Sequence, residues 1–345
     1  MIILAIETSC DDTAIALVKV KQGKRPKFQI LSNVISSQVK LHQKYGGVYP
    51  SLAKREHLKN LPVVFEKAKK EAKNPKLDLI AVTIGPGLEP CLWTGINFAK
   101  DIAQKLNLPL IPVNHIEAHI LTNFINGKLK NAFPAVCLVV SGGHTQLILM
   151  KDIGKYEILG ETRDDAAGEC FDKTARILGL GYPGGPVISK LASSPDKNID
   201  ISLPRPMMHQ KNYDFSFSGL KTAVLYNFRT QPHKVRKSKE YIKAVARETQ
   251  QAVIDVLIYK TLKAAKNFKA RTIILGGGVT ANKELRKQFK KRVKKEIPHS
   301  KLCIPDSNFC TDNAAMTAVA GYFNYLKGLT EKPGKVEANA NLRVK

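Results

Sequence analysis

Acidic residues are scarce in this chain. Its 345 residues include 29 Asp+Glu against 55 Lys+Arg, a formal net charge of +26. A balance that basic points to an anionic partner and is silent about fold. Aromatics make up 7% with one Trp, so no sheet studded with base-stacking rings is encoded. The six cysteines (Cys10, Cys91, Cys137, Cys170, Cys303, Cys310) form no CxxC pair and no regular spacing; they are expected to be reduced thiols rather than a disulfide framework. No apolar run reaches the ~20 residues of a spanning helix. The opening Met-Ile-Ile-Leu-Ala-Ile meets Glu7 too soon for a signal-peptide core and has no basic leader. A cytoplasmic protein without membrane association is expected. Nucleotide fingerprints are missing as well. Gly219-Leu-Lys221-Thr222 lacks the Gly-Lys junction of a P-loop, and the stretch from Gly85-Pro86-Gly87 reaches Pro90 where a dinucleotide motif needs Gly or Ala.

What is present is an ordinary globular composition, 43% apolar and 24% charged, long enough for one large or two medium domains. Ile2–Ile6, a polar stretch Glu7–Asp12 and Thr13–Val20 read as strand, tight turn, strand. Ala135–Val140, Ser-Gly-Gly-His-Thr (141–145) and Gln146–Met150 repeat the layout, and Thr272–Leu275 runs into Gly276-Gly277-Gly278. Recurrence in both halves predicts a duplicated α/β architecture of two lobes. Tyr241–Lys266 has the periodicity of a helix. Asp312–Leu326 reads as a small-residue helix with Thr311 or Asp312 as its cap. Residues 196–240, interrupted by Pro204, Pro206 and Pro232, read as a loop-rich insertion, and the tail from Gly328 as frayed.

His115-Ile-Glu-Ala-His119 is the sharpest chemical signal. Histidines four apart lie about 40° apart around a helix and can face one metal ion. Metalloproteases use this spacing, but their Glu follows the first His. Glu117 sits about 180° from the midline of the pair, out of reach as a base. A third ligand is open among Asp306, Asp312, Cys303 and Cys310; His, His and a carboxylate suit Fe(II) or Zn(II). The Ser141–Thr145 and Gly276–Gly278 turns offer backbone N–H groups to a phosphate. Asp11, Asp12, Asp164, Asp165, Glu169 and Asp172 gather near such turns, as metal, phosphate or ribose contacts or as solvated turns. Lys234–Lys239 and Lys283–Lys295 are basic runs.

Nine motifs then occur in one order: Ile-Glu-Thr-Ser-Cys-Asp-Asp-Thr (6–13), His115–His119, Val-Ser-Gly-Gly-His-Thr (140–145), Asp-Asp-Ala-Ala-Gly-Glu (164–169), Phe-Asp-Lys (171–173), Gly-Tyr-Pro-Gly-Gly-Pro (181–186), Phe-Ser-Phe-Ser-Gly-Leu-Lys (215–221), Gly-Gly-Val-Thr-Ala-Asn (277–282) and Cys-Thr-Asp-Asn (310–313). From Ile2 to about Leu326 the chain resembles the TsaD/Gcp family of bacterial Kae-type proteins. The resemblance implies a two-lobed actin/heat-shock-chaperone/sugar-kinase-like (ASKHA) fold with duplicated mixed sheets and a central cleft. Residues 1–114 would form the N-terminal lobe, with 313–345 packing back on it, and 115–312 the C-terminal lobe. The implied activity is transfer of threonylcarbamoyl from L-threonylcarbamoyl-AMP to N6 of adenosine 37 in tRNAs reading ANN codons. Implied metal ligands are His115, His119 and Asp312, holding one Fe(2+), with Zn(2+) as the alternative. Val139, Val140, Ser141, Gly142, Gly143, Asp172, Gly185, Ser189 and Asn282 would bind the adenylate. Asp11, Asp12 and His144 are candidates for proton transfer. Implied partners are tRNA, a TsaB-like paralogue and a TsaE-like ATPase. Pro90, Cys91, Trp93, Ser189 and Tyr49 depart from the family pattern. Two other readings of the same fold are a small-molecule kinase or ATPase, against which the histidine pair argues, and a silent scaffold, against which the intact motifs argue.

Overall fold

The computed structural model describes residues 1–23, 26–125, 132–194 and 199–345. The chain divides into two compact units, Met1–Asn131 with Pro305–Lys345, and Ala132–Ile304.

In the first unit the apolar segments β1 (Ile2–Glu7), β2 (Asp12–Lys21) and β3 (Lys27–Ser37) form antiparallel neighbours. A short α1 (Val39–His42) and the long α2 (Pro50–Glu71) follow, then β4 (Leu79–Gly85), α3 (Glu89–Leu106), β5 (Leu110–Asn114) and α4 (His115–Leu121). β4 runs parallel to β1 and to β5, giving the order β3-β2-β1-β4-β5. One face of the sheet packs Leu4, Ile6, Leu17 and Val82 against Leu61, Val64, Leu92 and Ile96 of α2 and α3.

The second unit contains β6 (Ala135–Val140), β7 (Thr145–Asp152), β8 (Lys155–Glu161), α5 (Ala167–Ile177), α6 (Gly184–Ala192), α7 (Ser218–Thr230), α8 (His233–Arg236), α9 (Lys239–Asn267), β9 (Thr272–Gly276), α10 (Lys283–Glu296) and β10 (Lys301–Cys303). Its sheet order is β8-β7-β6-β9-β10, with the same antiparallel and parallel pairings. The duplication expected from the strand–turn–strand layout is therefore a duplication of whole sheets. Finally α11 (Ala314–Leu326) returns to the first unit and covers the sheet face away from α2 and α3. Its small residues permit close approach: a Cβ on Gly321 would stand 2.5 Å from that of Ala81.

Several expectations are corrected. The division falls at 131/132 and 304/305 rather than at 114/115 and 312/313, because α4 packs on α11 and follows β5 directly. The cap of α11 is Asn313, whose side chain accepts from Met316 N at 3.1 Å, leaving Asp312 uncommitted to the helix. Residues 196–240 are not loop alone: α7 lies there, and Phe215, Phe217, Leu220 and Val224 are buried in the core. Nor is the tail frayed. Val336 and Val344 are buried, Asn339 N donates to Ile84 O at 2.8 Å, and Gly87 N to Ala340 O at 3.2 Å.

Candidate metal centre and glycine-turn site

The first cluster lies within the first unit. Asn114 ends β5 and caps α4, its side chain accepting from the amides of Ile116 and Glu117. The helix therefore starts at His115 and fixes both histidines on one face, with ring centroids 4.6 Å apart. Asp312 Oδ1 lies 3.1 Å from His119 Nε2 and 3.6 Å from His115 Nε2. One donor atom from each residue falls within 4.8 Å of the others. Glu117 points elsewhere, its carboxylate 3.9 Å from Lys327 Nζ, as the helical geometry requires. Of the third-ligand candidates, the structure brings Asp312 to the pair.

Behind His115 stands Glu7, the last residue of β1 and wholly buried. Its Oε2 accepts from Thr83 Oγ1 at 2.6 Å and lies 3.1 Å from His115 Nδ1; its Oε1 accepts from Ser9 N at 2.6 Å. Burial works against the ionised Glu7, yet the charge and hydrogen bond of His115 hold its carboxyl below the usual range. Burial likewise opposes the cationic ring of His115, but Glu7 and Asp312 push it up to about 9. His119 goes the other way, lowered mainly by burial. With Nδ1–H of His115 donating to Glu7, Nε2 is the nitrogen turned toward Asp312, and once its own proton leaves it is oriented as in metal-bound histidines. His119 Nδ1 is buried and has no hydrogen-bond partner among the described residues. Two imidazoles and a carboxylate converging in a buried site fit a divalent cation. The 6–13 motif contains Glu7 but assigns it no role, although a lone carboxylate ending an apolar strand is a legible signal.

Asp11 ends the adjoining β1–β2 turn and Asp12 opens β2. Burial, with the charge of Asp312 adding to it, raises the Asp11 carboxyl. Burial also raises Asp12, partly offset by Ser37 and reinforced by Asp312, Asp11 and Glu7, to about 7. Its Oδ1 is buried without a partner among the described residues. The turn is clamped by His57 of α2: Nε2–H donates to Cys10 O at 2.9 Å, and Nδ1 accepts from Thr13 Oγ1 at 2.8 Å. Of the departures from the family pattern, Pro90 stands in the first turn of α3, Trp93 carries Lys100 Nζ 5.4 Å above its ring, and Tyr49 stacks on Tyr45. The Cys91 carbonyl accepts from Thr8 Oγ1 at 3.0 Å.

The second cluster lies within the second unit. Val139 and Val140 are wholly buried in β6 and paired in its ladder, whereas Gly142 and Gly143 are exposed with open space where a Cβ would stand. The turn is closed by Ser141 N donating to His144 O (2.8 Å) and His144 N to Ser141 Oγ (3.1 Å). Two glycines let other elements close on it. A Cβ on Gly168, opening α5, would stand 2.6 Å from Ser141 O; one on Gly277, at φ +89°, would stand 2.4 Å from Val140 O. On α5, Asp172 accepts from Gly184 N at 2.6 Å, and burial raises its carboxyl despite the amides of Gly184 and Gly185. Gly185 has no neighbour within 4 Å of a Cβ, and Ser189 follows one turn later, half-buried. Asn282 caps α10 by accepting from Leu285 N at 3.0 Å, while its amide donates to Gln250 Oε1 at 2.7 Å. Gln250 was not legible in any motif.

The other acids of this unit are held internally. Asp164 accepts from the amides of Phe217 and Ser218 and the hydroxyls of Ser216 and Ser218. Burial is the largest single influence and raises it, but these donors together keep its carboxyl below the usual range. Lys173 Nζ lies 2.7 Å from Asp165 and 2.8 Å from Glu169, and Lys221 Nζ 3.4 Å from Asp165. The Asp-Asp-Ala-Ala-Gly-Glu and Phe-Ser-Phe-Ser-Gly-Leu-Lys motifs are two halves of one lock.

Duplicated sheets of this order define an α/β protein of the ASKHA fold, here with a His–His–Asp set that could hold a metal ion. Full-length HypF in its phosphate- and nucleotide-bound form shares the fold, at TM-score 0.57 and 12% identity over 94% of this chain and 46% of that one. So does the Acidaminococcus fermentans (R)-2-hydroxyglutaryl-CoA dehydratase component A, at 0.52 and 12% over 94% and 99%. The chain belongs to the TsaD family, tRNA N6-adenosine threonylcarbamoyltransferase, whose profile matches residues 29–319. Relatives bearing that name include those of Thermosipho africanus, 50% identical over 100% of both chains, and Geobacillus thermodenitrificans, 47% identical over 98% of this chain and 95% of its own.

Proposed function

We propose that this chain transfers the threonylcarbamoyl group of L-threonylcarbamoyl-AMP to the N6 amine of an adenosine in tRNAs reading ANN codons, with release of AMP. Membership of the TsaD family, with the family's metal-ligand motif folded into one donor set, carries the reading. His115, His119 and Asp312 would hold the cation, Fe(2+) in the first instance and Zn(2+) as the alternative. When bound, the cation supplies Lewis-acid polarisation or orientation of the acyl donor.

The remaining steps fall to the chain's own groups. The lone pair of an adenine amine is delocalised into its ring, so attack on a carbamoyl carbon depends on positioning. The exposed amides of Gly142 and Gly143 suit the adenylate phosphate, which departs with AMP and is stabilised as it leaves. Asp172, Gly185, Ser189 and Asn282 are the further candidates for holding the adenylate. Asp12, with one unpartnered oxygen and a carboxyl near neutrality, is suited to take the proton from N6; Asp11 and His144 are the other candidates. We further propose a cytoplasmic setting and joint action with a TsaB-like paralogue and a TsaE-like ATPase. No helix among the described residues is long and apolar enough to cross a membrane.

The test supplies synthetic threonylcarbamoyl-AMP and unmodified tRNA to the purified chain, with and without partner proteins, and analyses nucleosides by mass spectrometry. Threonylcarbamoyladenosine that disappears in a His115→Ala/His119→Ala variant and with chelator supports the reading. No product with any partner set, from a chain that binds metal, sinks it.

A further inference from the structure

The helix α10 carries eight Lys or Arg among its 14 residues. Leu285, Phe289 and Val293 are buried and anchor it to the core of its unit. About 130° around the helix from that anchor, Lys283, Lys287, Lys290 and Lys294 follow one another at i, i+4, i+7 and i+11, an arc of about 60°, and all four are exposed. The helix's two acids do little to neutralise this stripe. Glu284 lies 3.8 Å from Lys287, and Glu296 is taken by Arg292 and by Lys266. Lys283, Lys290 and Lys294 have no carboxylate partner among the described residues.

The stripe begins next to Asn282, the cap of α10 and a candidate adenylate contact, in the turn whose Gly277 packs on Val140. It then runs about 16 Å along the helix, set against one phosphate per ~3.4 Å of a nucleic-acid strand. We infer that the Lys283–Lys294 face of α10 binds the phosphate backbone of the tRNA. The inference rests on the tRNA-modifying activity proposed above. An anionic membrane is the poorer fit, because interfacial helices insert apolar side chains, and here the apolar stripe is spent on the protein's own core.

The experiment measures binding of an unmodified ANN-decoding tRNA transcript to the full chain by fluorescence anisotropy, between about 50 and 200 mM salt. The stripe variant is Lys283→Gln/Lys287→Gln/Lys290→Gln/Lys294→Gln. A control removes the same charge from exposed positions elsewhere: Lys59→Gln/Lys67→Gln/Lys70→Gln/Lys73→Gln. Losing four phosphate contacts should weaken binding roughly a hundredfold and flatten log K against log salt by about 3. The control should stay within about threefold of the parent, and Lys→Arg at the four stripe positions should keep the affinity. Equal losses in stripe and control would reduce the effect to net charge and overturn the inference. So would unchanged tRNA binding by a folded stripe variant. A parent chain that neither binds nor, with its partners, modifies tRNA would instead bring down the activity reading, and the stripe with it.

Discussion

Glu7→Gln separates the metal centre from its support. In the parent, Oε2 of Glu7 faces His115 Nδ1 at 3.1 Å and Oε1 accepts from Ser9 N at 2.6 Å. Glutamine keeps an oxygen for Ser9 but presents N–H groups to His115. Its Nδ1 loses the carboxylate acceptor and keeps only Ser9 Oγ at 3.2 Å; accepting from the amide moves the ring proton to Nε2, the atom 3.6 Å from Asp312. A ligand lone pair is thereby lost without deleting the ligand. Losing such a support typically costs 10–100-fold in metal affinity, about 1.4–2.7 kcal/mol. The assay is competition between the chelator-stripped chain and a chromophoric chelator for Fe(II), Zn(II) or Co(II), with circular dichroism checking the fold. Thr83→Val serves as a comparison, since it deletes the other donor to Oε2 and leaves the His115 bond in place. Equal affinities for Glu7→Gln and the parent, within about twofold, would refute the tautomer argument.

Three further outcomes are expected. Asp12→Asn should stabilise the chain increasingly as pH rises from about 4 to 7 and then level off. The folded carboxyl sits at about 7, so its ionisation penalises folding only above the unfolded value; melting temperatures of the chelator-treated chain that shift equally at pH 4 and pH 8 would contradict this. Gly277→Ala should cost about 2 kcal/mol or more in denaturant unfolding, because its φ of +89° and the Val140 oxygen both exclude a Cβ. Asn313→Ala should lose about 1 kcal/mol as α11 loses its cap, whereas Asp312→Asn should leave the cap intact; the reverse order would return the cap to Asp312.

The outline of both sheets was readable because strands and turns alternate by local rules: Ile2–Ile6 into a polar turn, Ala135–Val140 into glycines. The metal pair was readable for the same reason, since helical spacing alone places His115 beside His119. Contacts between distant segments were not. Nothing local distinguishes Asp312 from Asp306 as a ligand, and the choice is made when Asn313 takes the cap and α11 packs on α4. Asp164 and Asp165 look like ligands in sequence, but their partners, Ser216, Ser218 and Lys221, lie some 50 residues downstream. The 196–240 stretch was misread because its prolines are local, while the burial of Phe215 and Phe217 depends on the whole unit.

Duplication also explains how one topology came to hold two kinds of chemistry. In each sheet the first two strands are joined by a short turn, Thr8–Asp11 after β1 and Ser141–His144 after β6. A turn at the end of a fully buried strand is fixed in space by the sheet, while its own residues are free to vary. In the first unit Glu7 precedes that turn, Asp11 ends it and Asp12 opens β2; the fifth strand, β5, leads directly into the helix that carries His115 and His119. In the second unit the fifth strand, β10, is three residues long and no histidine helix follows it. There Gly142 and Gly143 leave backbone amides open, and glycines at 168 and 277 admit two neighbouring elements to the turn. Carboxylates and imidazoles at one copy suit a cation; uncovered amides at the other suit an anion. The residues at the strand ends, rather than the sheets that present them, distinguish the two copies.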